Sequence, residues 1–193
     1  SIVNHQKDKI NFKDHQNSCR GIYLMDCSDS NLTDVDVNLA NLPENDHGCA
    51  LLLTAENEIC QCTMQGGNID KCGNHDCSIY TNLNVMSISK TKLNHEAISG
   101  DFNGIYFAKI GQVTLSSVQI MNIRGYPIVF SDDEGTFESS SIKLIDYCIF
   151  MTNLKNVLFK TNKEKSIVHN CTFSSIYCEK TLLSIDGKTR SIE

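Results

Sequence analysis

The chain has no Trp, only two Pro, and three Arg (Arg20, Arg124, Arg190) in 193 residues. Nowhere does it run 18 apolar residues together, so no membrane-spanning helix is expected within it. It shows no Gly-X-Y period and no heptad repeat, which excludes collagen and coiled coil. Apolar spacing of 3.6 residues is not sustained in any window, so almost no α-helix is expected. Basic residues are few and scattered: 17 Lys and Arg stand against 23 Asp and Glu, for a formal charge of -6. Phosphate backbones and anionic membrane surfaces are held by concentrated Lys and Arg, so nucleic acid and lipid headgroups are not expected partners. With 40% hydrophobic and 21% charged residues the chain is too apolar for a disordered tail and long enough for one core. No Pro- or Ser-rich linker divides it, and a single domain is expected.

What the chain does have is a period. Short apolar runs recur around Ile22, Leu51, Ile79, Ile105, Ile128, Val157 and Leu182, at steps of 29, 28, 26, 23, 29 and 25 residues. A second series, Asn41-Leu42, Asn68-Ile69, Ala97-Ile98, Asn122-Ile123, Asn153-Leu154 and Ser175-Ile176, has a similar mean step, about 27 residues, within the range of solenoid repeats. Between the series lie alternating stretches such as Val35-Asp36-Val37-Asn38-Leu39 and Val113-Thr114-Leu115. Apolar residues at every second place read as strands with one buried face. Three short strands per 27 residues, stacked on themselves, predict an all-β fold: a single-stranded right-handed parallel β-helix of about seven coils. Residues 1–18 are expected to form an N-terminal arm or cap and residues 19–193 the solenoid, with a Cys-rich irregular region at 49–77 that carries an inserted loop at Gln65-Gly66-Gly67. The asparagines at 41, 68, 122 and 153 are expected at a stacked turn, where Asn tolerates left-handed backbone angles.

Segments such as Asn170-Cys171-Thr172-Phe173-Ser174-Ser175-Ile176 and Gly104-Ile105-Tyr106-Phe107 resemble the repeats of right-handed β-helix surface proteins. These are the pectate-lyase-like superfold and its relatives among polymorphic membrane proteins and protist surface proteins, though the Gly-Gly-Ala-Ile tetrapeptide typical of polymorphic membrane proteins is absent. The resemblance implies either a surface module or a polysaccharide-degrading enzyme. Of the motifs that mark the hydrolases of this shape, only an Asp-Asp pair is present, Asp132-Asp133, followed by Glu134. Glycoside hydrolysis needs two carboxyls on opposite sides of the sugar, which adjacent residues of one turn supply poorly. Asp132 and Asp133 are therefore weak catalytic candidates, and a solvated turn is the preferred reading. Calcium binding by this acidic turn near Arg124 is left incomplete, because the ion needs six to eight oxygen ligands.

The ten cysteines are Cys19, Cys27, Cys49, Cys60, Cys62, Cys72, Cys77, Cys148, Cys171 and Cys178. An even count, with N-glycosylation sequons at Asn31-Leu32-Thr33 and Asn170-Cys171-Thr172, fits an oxidising compartment and predicts at least three disulfides, most of them within residues 19–77. Buried thiols are the second reading. A zinc site at Cys60, Cys62, Cys72 and Cys77, with His75 nearby, is the third, because its first pair is closer than the usual knuckle. Cys60 and Cys62, two apart on a strand, should face one side. His47 near Cys49 and His75 near Cys77 offer no evidence of a nucleophilic dyad. Tyr23, Tyr80 and Tyr106 each follow a marker residue. Facing outward they would offer sugar rings a stacking platform, but Leu52, Val129, Leu158 and Leu183 at the matching places favour an inward, core ladder.

The functional expectation is a non-catalytic extracellular or cell-surface structural and adhesion module, glycan-binding or self-assembling, with no cofactor. The alternatives are a polysaccharide lyase or hydrolase of the pectate-lyase-like type, and an intracellular assembly protein with reduced cysteines. Arg190-Ser191-Ile192-Glu193 echoes Lys165-Ser166-Ile167-Val168 at a step of 25, so an open C-terminal coil that continues or pairs with a partner is expected.

Overall fold

In Asn31-Leu32-Thr33, Thr63-Met64-Gln65, Ser87-Ile88-Ser89 and Thr114-Leu115-Ser116, one apolar residue stands between two polar ones. Side chains alternate across a strand, so such triplets bury one face and offer the other to water. A lone strand of this kind cannot exclude water from its apolar face. Stacking it on its successors can.

The computed structural model of the chain describes residues 19–38, 49–56, 59–70, 77–94, 103–108, 111–123, 126–131, 141–152, 159–161, 165–175, 183–185 and 189–192. Its strands, in chain order, are β1 (Cys19–Met25), β2 (Asp29–Thr33), β3 (Val37–Asn38), β4 (Cys49–Thr54), β5 (Gln61–Gln65), β6 (Asn68–Asp70), β7 (Cys77–Thr81), β8 (Val85–Ser89), β9 (Lys92–Asn94) and β10 (Asn103–Ala108). They continue as β11 (Gln112–Ser116), β12 (Gln119–Ile123), β13 (Ile128–Ser131), β14 (Ser141–Ile145), β15 (Ile149–Thr152), β16 (Phe159–Thr161), β17 (Lys165–Val168), β18 (Thr172–Ser175), β19 (Leu183–Ile185) and β20 (Thr189–Ile192). No helix occurs among the described residues.

The first sheet runs β1-β4-β7-β10-β13, the second β2-β5-β8-β11-β14-β17-β20, and the third β3-β6-β9-β12-β15-β18, while β16 and β19 pair separately. Every pairing is parallel. The chain is thus a parallel β-solenoid. About three turns, within residues 19–38, 49–70 and 77–94, are described almost without interruption, rather than the seven that the period predicts. Residues 1–18, and with them the expected arm, lie outside the described residues.

Ile22, Leu51, Ile79, Ile105 and Ile128 occupy one row of the first sheet, as the first marker series predicts for these five, while Val157 and Leu182 lie outside the described residues. In the second sheet the inward row is Leu32, Met64, Ile88, Leu115, Leu144 and Val168, and Ile192 holds the next register place. The third contributes Val37, Ile69, Leu93, Ile120 and Phe150, with Phe173 at the next register place. Leu32 through Val168, Val37 through Phe150, and Leu51 through Ile128 of these rows merge into one core, and Ile22 is partly buried against it. Full burial contributes roughly 1.5–3 kcal/mol for each such side chain.

The second marker series is not one row where it is described: Ile69 stands in register with Ile120, whereas Ile123 pairs with Thr152 and the latter with Ser175, and Leu42, Ile98, Leu154 and Ile176 lie outside the described residues. Near the end Phe159 meets Leu183 and Ser166 meets Arg190, a step of 24 that displaces the expected echo by one residue.

The corner between the second and third sheets has its own signature. Asp34, Gly66, Lys90, Ser117, Asp146 and Asn170 each follow the same row of the second sheet, and all have positive φ, from 50° to 74°. A left-handed residue redirects the chain within one step, at about 1–2 kcal/mol where the residue has a Cβ. Inter-rung hydrogen bonds offset it: Asp34 N donates to Gln65 O (2.8 Å), Gly66 N to Ser89 O (2.9 Å), Lys90 N to Ser116 O (3.0 Å) and Ser117 N to Ile145 O (3.2 Å). Gly66 and Gly67 thus form this corner and not an inserted loop.

Asparagine does link rungs, mostly at places other than those expected. Asn82 Oδ1 accepts from Ala55 N (2.7 Å), Asn84 Oδ1 from Cys60 N (3.0 Å) and Asn103 Oδ1 from Tyr126 N (2.8 Å). Asn122, at φ 58°, donates to Asn94 Oδ1 (2.6 Å), while Asn68 opens β6 and Asn41 and Asn153 lie outside the described residues.

Candidate functional surfaces

Asp132, Asp133, Glu134 and Arg124 lie outside the described residues, as do Cys72, His75 and Cys178, and the side chain of Cys19. Three acids described in the first turn are engaged with the second. Asp26 Oδ1 accepts from Glu56 N (2.7 Å), Asp29 Oδ1 from Gln61 Nε2, and Asp36 Oδ1 from the backbone (2.8 Å) and side-chain (3.0 Å) nitrogens of Asn68.

Cys60 and Cys62 both face the core, as their spacing requires, but Cys62 stacks between Ser30 and Met86, with no cysteine at the matching place on either neighbour. Burial pushes its thiol up to about 11, with Cys27 adding a smaller push. Cys77 belongs to a different apolar cluster, with Cys49, Leu52 and Tyr80. The described members of the zinc quartet therefore do not converge, and no group of three metal-ligating side chains gathers among the described residues. No disulfide joins any two of the described cysteine side chains, against the three bridges expected.

The tyrosine row is buried or partly buried, as the burial argument expects, but in a second apolar cluster on the face away from the main core rather than in the inward ladder. Tyr23, Leu52, Tyr80, Tyr106 and Val129 share a row one residue after the inward row of the first sheet. Alternation sends that row to the opposite face, where Leu52 and Tyr80 are nevertheless only 3% and 7% exposed. Tyr80 and Tyr106 stack with ring centroids 5.5 Å apart and planes 5° from parallel. Burial, together with Tyr106, Cys77 and Cys49, pushes the Tyr80 hydroxyl up to about 12.

The outer face of the second sheet is polar and repetitive. One outward row reads Asn31, Thr63, Ser87, Thr114, and the next Thr33, Gln65, Ser89, Ser116, all in register. None of these eight side chains is charged. Asn31 and Thr33 of the first sequon are exposed on this face, and Asn170 and Thr172 of the second are also exposed.

A site that sequence reasoning missed lies just past the left-handed corner, in the row Val35, Gly67, Thr91, Val118, Cys148, Cys171, which precedes the third sheet. Cys148 is fully buried and Cys171 partly exposed. Cys148 Sγ accepts from Val118 N (3.4 Å) and donates toward Ile145 O (3.2 Å) or Leu115 O (3.4 Å), while Cys171 Sγ donates toward His169 O (3.3 Å). The two thiols also hydrogen-bond to each other. Donation from Cys171 and from nearby backbone N–H groups holds the Cys148 thiol below its usual range, whereas the same bond, burial and the neighbouring sulfur raise that of Cys171. Their spacing of 23 residues was visible in the sequence, but the register that stacks them was not.

No helix among the described residues is long and apolar enough to cross a membrane. The chain matches no family model, no curated protein and no solved structure.

Proposed function

We propose that this chain is a non-catalytic structural and adhesion module of an extracellular or cell-surface protein, a right-handed β-helix of about seven coils akin to the pectate-lyase-like solenoids, which presents the outer face of its second sheet to a glycan. The observation that carries the reading is the in-register array Asn31, Thr63, Ser87, Thr114 with Thr33, Gln65, Ser89, Ser116. Uncharged hydroxyl and amide groups at a fixed strand spacing match the donors and acceptors of a neutral saccharide better than those of an ionic partner. Exposure of the second sequon supports glycosylation at Asn170, and a glycan at the equally exposed Asn31 would occupy the first rung of the array and leave Thr63, Ser87 and Thr114 as its open rungs. Self-association through the coil that holds β20, and a capping role for residues 1–18, belong to the same proposal.

Glycan-array binding of the chain tests it, alongside Thr63→Lys/Thr114→Lys, which sets two outward charges in the array. Binding to neutral glycans that the double variant loses is expected. No binding, or binding that the variant keeps, contradicts the reading, and release of reducing ends or unsaturated products would favour the enzymatic alternative. One observation favours a second reading, an intracellular assembly protein: the absence of any disulfide among the described cysteines. Counting alkylatable thiols in protein isolated without reductant separates the two, since the extracellular reading expects fewer than ten.

A further inference from the structure

The row that ends in Cys148 and Cys171 shows what the fold itself requires there. At Thr91 a hydroxyl donates toward Gly66 O and Ser89 O, both at 3.0 Å, and at Val118 the same place holds no polar atom. Hydrogen bonding to the corner carbonyls is thus met by a hydroxyl at one rung and dispensed with at another. A thiol is the weaker donor, so that need does not account for sulfur on two consecutive rungs. The corner before Cys148 is also irregular. From Leu144 to Phe150 it takes one residue more than the matching Leu115 to Ile120, and the extra residue, Tyr147, is 75% exposed. Asp146 (φ 58°) and Tyr147 (φ 67°) are consecutive left-handed residues, a pairing that elsewhere in the described chain falls on Gly66 and Gly67. Strained non-glycine backbone gathers at functional sites.

We propose that Cys148 and Cys171 form a redox-active pair, which closes into a disulfide between adjacent rungs by exchange with a low-molecular-weight disulfide that enters at Cys171. The pair's first ionisation leaves the thiolate on Cys148. The partly exposed Cys171 Sγ attacks one sulfur of the incoming RSSR while its proton passes to Cys148, forming a Cys171–S–R bond, and the departing RS⁻ takes that proton and restores the Cys148 thiolate. The buried Cys148 thiolate then attacks Cys171 Sγ, forming the inter-rung bond as the second RS⁻ departs. The two thiol protons end on the two departing sulfurs, so Cys148-SH, Cys171-SH and RSSR become one protein disulfide and two RSH. The hydrogen-bonded pair gives up its first proton more readily than an isolated thiol, since the remaining S–H stabilises the neighbouring thiolate.

The test equilibrates the 193-residue chain in oxidised and reduced glutathione buffers, blocks residual thiols by alkylation, and maps links by peptide mass spectrometry. A Cys148–Cys171 link with a single midpoint is expected. Cys148→Ser should retain glutathione on Cys171, and Cys171→Ser should give neither the link nor an adduct on Cys148, with circular dichroism confirming the fold of both. Thiols that stay unlinked in the most oxidising buffer overturn the proposal, as does a Cys171–Cys178 link or an adduct on Cys148 in Cys171→Ser. Should either variant fail to fold, the wild-type link decides alone.

Discussion

Gly67→Ala and Gly66→Asn, substitutions at neighbouring residues, should have opposite fates. A Cβ on Gly67 (φ 81°) would meet backbone atoms of Val35, its carbonyl oxygen and its nitrogen, the latter at 2.6 Å. Backbone of an adjacent rung cannot withdraw without breaking the stack. Left-handed geometry costs about 1–2 kcal/mol and overpacking about 1–3 kcal/mol, so a loss of about 3 kcal/mol is expected. For a chain of this length that lowers Tm by roughly 6–12 °C. A Cβ on Gly66 (φ 74°) would instead meet the Asp34 side chain, whose carboxylate can rotate aside. The same corner position already holds Asp34, Lys90, Ser117, Asp146 and Asn170, and Asn tolerates this conformation, so Gly66→Asn should cost less than about 1 kcal/mol. Thermal and urea unfolding followed by circular dichroism at equal protein concentration compare the two. Equal destabilisation, or a neutral Gly67→Ala, would refute the corner assignment.

Asn84→Ala leaves Cys60 N without its side-chain acceptor, and a loss of about 1–2 kcal/mol is expected in urea unfolding, against less than about 0.5 kcal/mol for the exposed Gln112→Ala. The buried Cys62 thiol titrates near 11 when folded against 9.0 as a free group, so below pH 9 it does not alter stability. Between pH 9 and 11 the unfolded chain loses this proton and the folded one keeps it, so stability falls by about 2–3 kcal/mol and then levels off. Urea midpoints across that window should decline less steeply in Cys62→Ala than in the wild type. Tyr80→Leu, which removes the stack on Tyr106 but keeps an apolar group, should cost about 0.5–1.5 kcal/mol beyond the change in buried area, and a Tyr106→Leu double-mutant cycle should recover a coupling of that size.

The first inward row was legible because Ile22, Leu51, Ile79, Ile105 and Ile128 are all aliphatic and each opens a run of apolar residues. The second series failed because an Asn before an apolar residue recurs by composition in a chain rich in Asn, and strands of the third sheet vary from two residues in β3 to five in β12. The left-handed corner was legible only in part: Asp34, Gly66, Asp146 and Asn170 are of types that adopt such angles, but Lys90 and Ser117 at the same place carry no such signal. For the tyrosines, burial preference found a row that is buried or partly buried, and only alternation showed that it packs on the face away from the main core. The cysteines of the site stayed hidden for a related reason. Count and spacing point to bridges, but register decides which sulfurs meet, and it places Cys62 between Ser30 and Met86 and sets Cys148 beside Cys171.

Removing one whole rung tests the solenoid register most directly. Deleting residues 79–104 joins Ser78 to Ile105, which are already consecutive places of one row pattern because Ile79 pairs with Ile105. Solenoid stability is close to a sum over neighbouring repeats, so the shortened chain should keep its strand-type circular dichroism spectrum and unfold cooperatively at a lower midpoint. Deleting only 79–91 would splice the first sheet into the third and should abolish folding. A whole-rung deletion that unfolds as completely as the half-rung deletion would contradict the register on which the account rests.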